Sequence, residues 1–478
     1  MKTVANTVLM NSPFQGLDPI REVYLIGIGG IGMSAIARFF HARGARVAGY
    51  DKTPTPLTRE MEASGITIHY EEDVSLANEN ADLVIYTPAI PATHKELAYF
   101  RENRKKLIKR SDALQLISGA TFNICIAGTH GKTTVTTMVA HLLRDTGFGC
   151  NAFLGGISVN YGTNFWSDPK NLCVIEADEY DRSFLKLNPD IAVITAMDAD
   201  HLDIYGTADA VEQAFIDFSQ RIRPGGILFH RFGLKRGKDL VGKFEGTDYT
   251  YSLQNNSADV YGENIRLENG GYDFDVVLKE ERLEHIRLNM GGMHNVENAI
   301  AAIAVASSLG IEKDKIRSAV GSFSGVKRRF EYIIHNRKLV FVDDYAHHPE
   351  ELRALINGAR SLFRKRKCTI IFQPHLFTRT RDFADGFAEA LDLADEVILL
   401  PVYPARELPI NGVASEMILE RIKNSNKRIL DKQELLAWIG TAYKQGIDDE
   451  FGNLLITAGA GDIDTLLKPL KELLSGIN

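Results

Sequence analysis

The stretch Phe122–Asp145, FNICIAGTHGKTTVTTMVAHLLRD, reads as a strand, a glycine-bounded turn and a helix in immediate succession. The run NICIAG is apolar enough for a buried strand, and Val135, Met138, Val139 and Leu142 then recur at helical spacing. Between them lies Gly128-Thr129-His130-Gly131-Lys132-Thr133-Thr134, a phosphate cradle. Backbone N–H groups at such a turn surround phosphates, Lys132 reaches the β and γ oxygens, and the Thr133 hydroxyl suits Mg2+. The loop is tighter than G-x-x-x-x-G-K-[ST], because Ile126 stands five before Gly131 and the first glycine comes two positions later. A strand, loop and helix of this kind point to an α/β fold, in which ligands gather at the carboxyl ends of parallel strands.

Working outward, a loop of this kind needs a carboxylate at a neighbouring strand end to help hold the metal. LCVIEADEYD offers Glu176 at the end of an apolar run, with Asp178, Glu179 and Asp181 just beyond, and DIAVITAMDADHLDIYG ends on Asp200 and His201. In MHNVENAIAAIAVASSLGI, Asn295 and Asn298 are three apart on one helix face, able to meet an adenine edge; Asn295 could equally cap the helix. Upstream, Gly27-Ile28-Gly29-Gly30-Ile31-Gly32 follows a strand and opens a helix, and Asp51 closes the next strand. Alone, this upstream cradle, the first in the chain, says NAD-dependent oxidoreductase. The same geometry holds the pyrophosphate of a UDP-sugar, because the motif fixes the phosphate and not the base.

Strand-like runs alternate with helical patterns along most of the 478 residues, enough for about three domains at roughly 150 residues each. Most runs end in Gly, Asp, His or Gln, which places chemistry along the strand ends. Between about Tyr249 and Asn289 polar and apolar residues alternate around Asn269-Gly270-Gly271, the pattern of an antiparallel extension of the middle domain. Small and polar residues set the expected boundaries, giving domains 1–119, 120–325 and 326–478.

A formal charge of -7 gives no general attraction for nucleic acid or an anionic membrane. The basic runs RENRKKLIKR (Arg101–Arg110) and RKRK (Arg364–Lys367) read as solvated surface or helix ends. Cys125, Cys150, Cys173 and Cys368 form no C-x-x-C pair and suit buried thiols in a reducing compartment. Met1–Ile20 is too weak for a signal peptide, and no run approaches the ~18 apolar residues of a membrane span, so a cytoplasmic protein is expected.

Together the motifs resemble the Mur ligases of peptidoglycan synthesis. The resemblance is carried by GIGGIGMSAIA, GTHGKTT, EADEYDRSF, ADHLDIY, HNVENAIAA, GVKRRFE, VDDYAHHPEE, FQPHLFTRTRDF and VYPARELPI, in family order over residues 25 to about 410, with TAGAGDID near the end. It implies a Rossmann-like N-terminal domain for a UDP-sugar, a central P-loop ATPase domain and a Rossmann-like C-terminal domain that closes over the site. The implied reaction joins L-alanine to the lactyl carboxylate of UDP-N-acetylmuramate, with ATP and Mg2+, through an acyl phosphate and a tetrahedral intermediate. Two cradles then make sense, one for each nucleotide.

The resemblance also implies roles. Gly27, Gly29, Gly30, Gly32 and Asp51 are expected around the UDP-sugar. The loop Gly128–Thr134, with Asn295, Asn298, Arg329 and Asp344, is expected around ATP, and Lys132, Glu176, His201 and Arg329 in catalysis. Thr133 and Glu176 are the expected ligands of one Mg2+ and His201 of a second. Tyr345, His347, His375 and Arg379 are expected around the amino acid, the arginine facing its carboxylate. A frequent family pattern, PHRFTRT, has arginine where this chain has Leu376, which leaves Arg379 or Arg381 to carry that carboxylate alone. The carbamylated lysine of other members has no evident counterpart, the next lysine after His201 being Lys235. Two rivals remain: a related ligase that attaches a whole tripeptide, and the NAD-dependent oxidoreductase. The sequence does not decide between monomer and dimer.

Overall fold

The computed structural model describes residues 17, 19–180, 182–198, 202–268, 270–279, 281–405 and 407–477. Among them the chain forms three sheets. It divides into two compact units: the first holds 1–266, 273–288 and 296–324, and the second 267–272, 289–295 and 325–478.

The first sheet runs β3-β2-β1-β4-β5, from strands β1 (Glu22–Ile26), β2 (Arg46–Tyr50), β3 (Thr67–His69), β4 (Leu83–Tyr86) and β5 (Leu107–Lys109). All four pairings are parallel. The order reverses between β1 and β4, and a crevice at such a switch point is where nucleotides bind. The helix Ile31–Ala42 leaves the end of β1 through the glycine turn, burying Met33, Ile36, Phe39 and Phe40.

The second sheet has ten strands in the order β15-β14-β13-β12-β11-β10-β6-β9-β7-β8. Its centre is β6 (Phe122–Ala127), flanked by β10 (Ile191–Ile194) and β9 (Leu172–Glu176), both parallel to it. Beyond β9 lie β7 (Asn151–Phe153) and the antiparallel β8 (Phe165–Trp166). On the other side come β11 (Gly226–Arg231), β12 (Gly246–Ser252), β13 (Val260–Glu268), β14 (Gly271–Leu278) and β15 (Glu281–Leu288). Residues 269–270 and 279–280 alone join β13, β14 and β15, and neighbours linked by two residues can pair only antiparallel. The pair β12–β13 departs from the alternation reading: it is parallel, with only Tyr251↔Val260 and Ser252↔Tyr261 in register. Residues 253–259 are too few to carry the chain back to the start of β12, so the overlap stops there.

The third sheet runs β16-β17-β21-β18-β19-β20, from β16 (Glu331–His335), β17 (Leu339–Asp344), β18 (Lys367–Phe372), β19 (Glu396–Leu399), β20 (Lys427–Ile429) and β21 (Asn453–Ala458). Only β16–β17 is antiparallel. Both faces are covered. Val340, Val342, Ile370 and Phe372 join one core, whereas Leu339, Phe341, Ile371 and Ile398 join the other. That alternation explains why these strands read as continuous apolar runs. Each such side chain contributes about 1.5–3 kcal/mol by leaving water.

All four cysteines are buried and free, and among the described residues no helix is long and apolar enough to cross a membrane. Residues 1–16 lie outside the described residues, as do Asp181, Asp200 and His201.

Candidate functional site

In the first unit the glycine turn after β1 is closed by its own acid. Asp51 Oδ2 accepts from the Gly29 N–H at 2.7 Å, and Oδ1 from the Thr53 N–H at 3.2 Å. A Cβ on Gly29 would lie 2.8 Å from both Asp51 Oδ2 and Thr58, and Gly27 has φ +86, so the turn admits no side chain at either position. Gly30 caps the helix with extended backbone and no side-chain bond, so the first amides of Ile31–Ala42 are not capped by a side chain. Arg110 arrives from the far end of β5, its Nη1 2.7 Å from where a Gly32 Cβ would stand, and it also pairs with Asp178 at 3.8 Å. In the sequence Arg110 is only the end of a basic surface run. The parallel pairing of β5 beside β4 is what brings it to the cradle.

The second cradle follows β6. Gly128 and Gly131 have φ +138 and +80. A Cβ at Gly128 would come within 2.8 Å of Ala196 N, and one at Gly131 within 2.9 Å of Asn298 Oδ1. The loop is tied to the end of β10 by the Thr129 N–H donating to the Ala196 carbonyl (3.2 Å), by the Asp198 N–H donating to Thr129 Oγ1 (3.2 Å), and by the Thr195 hydroxyl donating to the His130 carbonyl. His130 itself points outward, 3.9 Å from Asp198. Thr134 is buried in the first turn of the helix Lys132–Asp145.

Lys132 donates to the Gly128 carbonyl at 2.8 Å and pairs with Glu179, Nζ lying 2.8 Å from Oε1 and 2.7 Å from Oε2. The Glu179 side chain is 1% exposed and that of Lys132 14%. Burial pushes the Glu179 carboxyl up, and the Lys132 ammonium opposes the shift. An anion entering the loop therefore meets a lysine already committed to a buried carboxylate, and removing either partner strands the other. In the sequence Glu179 is one of several acids past β9. Its burial, with Tyr205 donating to its carbonyl at 2.6 Å, sets it apart from Asp178.

Thr133 Oγ1 donates to Glu176 Oε1 at 3.0 Å, and Glu176 Oε2 accepts from the Gly155 N–H at 3.0 Å. A hydroxyl beside a carboxylate is an all-oxygen donor pair, which fits a hard cation such as Mg2+. Among the described residues no group of three metal-ligating side chains occurs, and the expected second ligand, His201, lies outside them. Lys235 pairs with Glu212 at 2.9 Å, so its ammonium is engaged there.

In the second unit, Asn295 is buried and donates from Nδ2 to the Gly291 carbonyl at 2.7 Å, while Asn298 belongs to the first unit, against Gly131. Asp344, at the end of β17, accepts from the N–H groups of Phe330 (2.7 Å) and Ala346 (2.8 Å). Burial raises its pKa and Arg329 opposes that. The two adjacent arginines both lie over the Tyr345 ring, Arg328 at 5.0 Å and Arg329 at 5.4 Å from its centroid, and Arg328 also bonds the Gly459 carbonyl and lies 3.5 Å from Asp343.

The four residues expected around an amino acid gather at the ends of β17 and β18. Tyr345 and His347 meet edge to face at 5.2 Å, His347 and His375 at 6.4 Å, and His375 stacks on Tyr403 at 5.8 Å. Arg379 Nη1 lies 3.5 Å from His375 Nδ1. Burial, then Arg379 and His347, push the His375 imidazole down to about 4, so it is neutral at physiological pH. Arg381 is paired with Asp382 at 2.7 Å, so of the two arginines of the helix Phe377–Asp382 it is Arg379 that meets this cluster. Leu376 has φ +71 and starts the helix Phe377–Asp382, a strained backbone held by its N–H donating to the Tyr403 carbonyl at 2.9 Å.

Comparison with known proteins covers nearly the whole chain. Residues 22–121 match the family model described as Mur ligase family, catalytic domain, residues 126–306 the Mur ligase middle domain, and residues 328–461 the Mur ligase, glutamate ligase domain. The UDP-N-acetylmuramate--L-alanine ligase of Flavobacterium johnsoniae is 45% identical over 96% of this chain and 99% of its own. That of Phocaeicola vulgatus is 46% identical over 96% and 99%. Among solved structures, the UDP-N-acetylmuramate-alanine ligase of Thermotoga maritima superposes with a TM-score of 0.78 at 28% identity, covering 96% of this chain and 100% of that one. A murein peptide ligase from Psychrobacter arcticus shares the fold, with a TM-score of 0.66 at 23% identity over 96% and 99%.

Proposed function

The chain belongs to the Mur ligase family, and we propose that its two phosphate cradles serve one reaction, the ATP-dependent joining of L-alanine to UDP-N-acetylmuramate in peptidoglycan synthesis. The observation that carries this reading is the near-full-length likeness to ligases of that name, over a loop whose lysine is poised on a buried carboxylate.

A carboxylate is a poor electrophile, so the lactyl group must first acquire a leaving group. Its oxygen attacks the γ-phosphorus of ATP, ADP departs, and an acyl phosphate forms. The L-alanine amine adds to the acyl carbon, and the tetrahedral intermediate expels phosphate to leave an amide. The chain's part is positioning and charge neutralisation. Gly128–Thr134 supply backbone donors, Lys132 faces the β and γ oxygens, and Asn295, Asn298, Arg329 and Asp344 contribute around the nucleotide. Gly27, Gly29, Gly30 and Gly32 approach the pyrophosphate of the sugar nucleotide, with Asp51 holding the turn and Arg110 adding charge. Tyr345, His347, His375 and Arg379 receive the amino acid. Thr133 and Glu176 would hold one Mg2+ and His201 a second, and these cations would neutralise phosphate charge and polarise the acyl oxygen. We assign boundaries after 119 and 325, and a cytoplasmic location follows from the supply of ATP and nucleotide sugar.

The test is phosphate release from ATP with UDP-N-acetylmuramate and, separately, L-alanine, L-serine, glycine, D-glutamate or the tripeptide. Release that needs both the sugar nucleotide and L-alanine supports the reading. Release with the tripeptide alone moves the assignment to the tripeptide ligase, and NADH binding without phosphate release moves it to the oxidoreductase.

A further inference from the structure

The segment Tyr345–Glu351, YAHHPEE, carries β17 into the helix Pro349–Leu362. Glu351 stands in the third position of that helix and turns back on the chain. Its Oε2 accepts from the N–H groups of His347 (2.9 Å) and His348 (3.1 Å). With Pro349 opening the helix, this box fixes the backbone from which His347 projects.

The ring of His347 is fixed as well. Its Nδ1 lies 2.9 Å from the Tyr345 carbonyl. A carbonyl only accepts, so Nδ1 carries the hydrogen and, in the neutral ring, Nε2 holds the lone pair. Glu351 Oε2 stands 3.5 Å from the same Nδ1, where a carboxylate stabilises an imidazolium. The neighbouring imidazole is arranged the opposite way. His375 turns Nδ1 toward Arg379, a group that only donates, so its lone pair faces the guanidinium at 3.5 Å. Among the described residues His347 Nε2 accepts no hydrogen bond, whereas the lone pair of His375 faces Arg379.

We propose that His347 takes, at Nε2, the proton that the amino group of L-alanine must lose before it can attack, and that Glu351 is the residue that positions it. The proposal rests on the ligase reading. L-Alanine arrives as an ammonium, whose nitrogen has no lone pair. One N–H bond breaks and its proton moves to Nε2, and the freed pair forms the N–C bond to the acyl carbon. The C–O bond to phosphate then breaks with its electrons on the phosphate oxygen, which takes the second amine proton. The products are the amide, hydrogen phosphate and an imidazolium that returns its proton to solvent.

The charges that act on His347 among the described residues bear on this role. Glu351 from its own segment favours the imidazolium, and Arg379 from Phe377–Asp382 and Arg329 from the turn before β16 disfavour it. His375 and Tyr345 are titratable ring neighbours, and His348 follows His347 in the chain on the same Glu351 carboxylate. Burial is the largest influence and holds the ring below the ordinary histidine range, so it is neutral and ready to accept at neutral pH. Arg379 beside it suits the alanine carboxylate, which places the amine toward the imidazole side of the cluster.

The full-length enzyme tests this with two nucleophiles, L-alanine and hydroxylamine. Hydroxylamine is already unprotonated near neutral pH and captures an acyl phosphate without a base. In His347→Asn, alanine adduct formation falls about 10²–10⁴-fold relative to hydroxamate formation. The alanine rate of that variant keeps rising with pH toward the amine's own titration. In Glu351→Gln the acid limb of kcat/KM for L-alanine moves to lower pH, because the charge that favours the imidazolium is gone; a purely structural role leaves that limb in place. Equal loss of both adducts in His347→Asn, or an unmoved acid limb in Glu351→Gln, overturns the proposal. If the wild-type enzyme forms neither adduct from ATP and UDP-N-acetylmuramate, the ligase reading itself fails.

Discussion

At the residue scale, the loop Gly128–Thr134 depends on two positions that no L side chain occupies without strain. Gly128 combines φ +138 with the backbone of Thr195 and Ala196 where a Cβ must go. Gly128→Ala should cost about 1–3 kcal/mol in stability, read as a lowered Tm, and weaken ATP binding because the loop separates from β10. Lys132→Ala strands Glu179 in a site where it is 1% exposed; Lys132→Ala is expected to abolish turnover and to lower Tm, whereas the double change Lys132→Ala with Glu179→Gln recovers Tm but not activity.

Asp343, beside Asp344 at the end of β17, offers a pH prediction. It is fully buried, accepts from Thr457, lies 3.5 Å from Arg328, and is pushed up to about 7 by burial. Because its folded pKa is raised, its stabilising contribution is complete below about 4 and is lost as pH rises through about 7. Asp343→Asn should flatten the fall of Tm between those pH values; an unchanged slope contradicts the assignment. The residues that sequence spacing makes legible are Lys132, Thr133 and Glu176, since each sits at a strand end or helix start. Glu179, Arg110 and Glu351 are not legible in these roles. Their partners are set by which strands pair and which side chains are buried, and neither is written locally.

At the scale of elements, apolar runs ending in Gly, Asp or Gln mark the strands because parallel strands covered on both faces have no polar side to display. The helix boundaries follow local chemistry where a cap is present. Asp431 caps Lys432–Trp438, accepting from the N–H groups of Gln433 and Glu434, with Glu434 returning to Asp431. Asp431→Ala should cost about 1 kcal/mol by denaturant titration and leave ligation unchanged, since no site residue lies on that helix. The alternation from Tyr249 to Asn289 predicts antiparallel strands, and the short links of β13, β14 and β15 fit it. The β12–β13 pair does not, because alternation reports which face is buried and carries nothing about strand direction.

At the scale of the molecule, two glycine-rich phosphate cradles in one chain suit chemistry that joins a nucleotide-bound group to a phosphate. Each cradle alone points elsewhere, the first to NAD and the second to any P-loop enzyme. The most direct test follows the oxygen. UDP-N-acetylmuramate carrying ¹⁸O in its lactyl carboxylate is converted with ATP and L-alanine, and the released phosphate is weighed. Attack of the carboxylate on the γ-phosphorus predicts one ¹⁸O in each phosphate released and one retained in the amide. Unlabelled phosphate released alongside amide, with the lost label in water, contradicts the account.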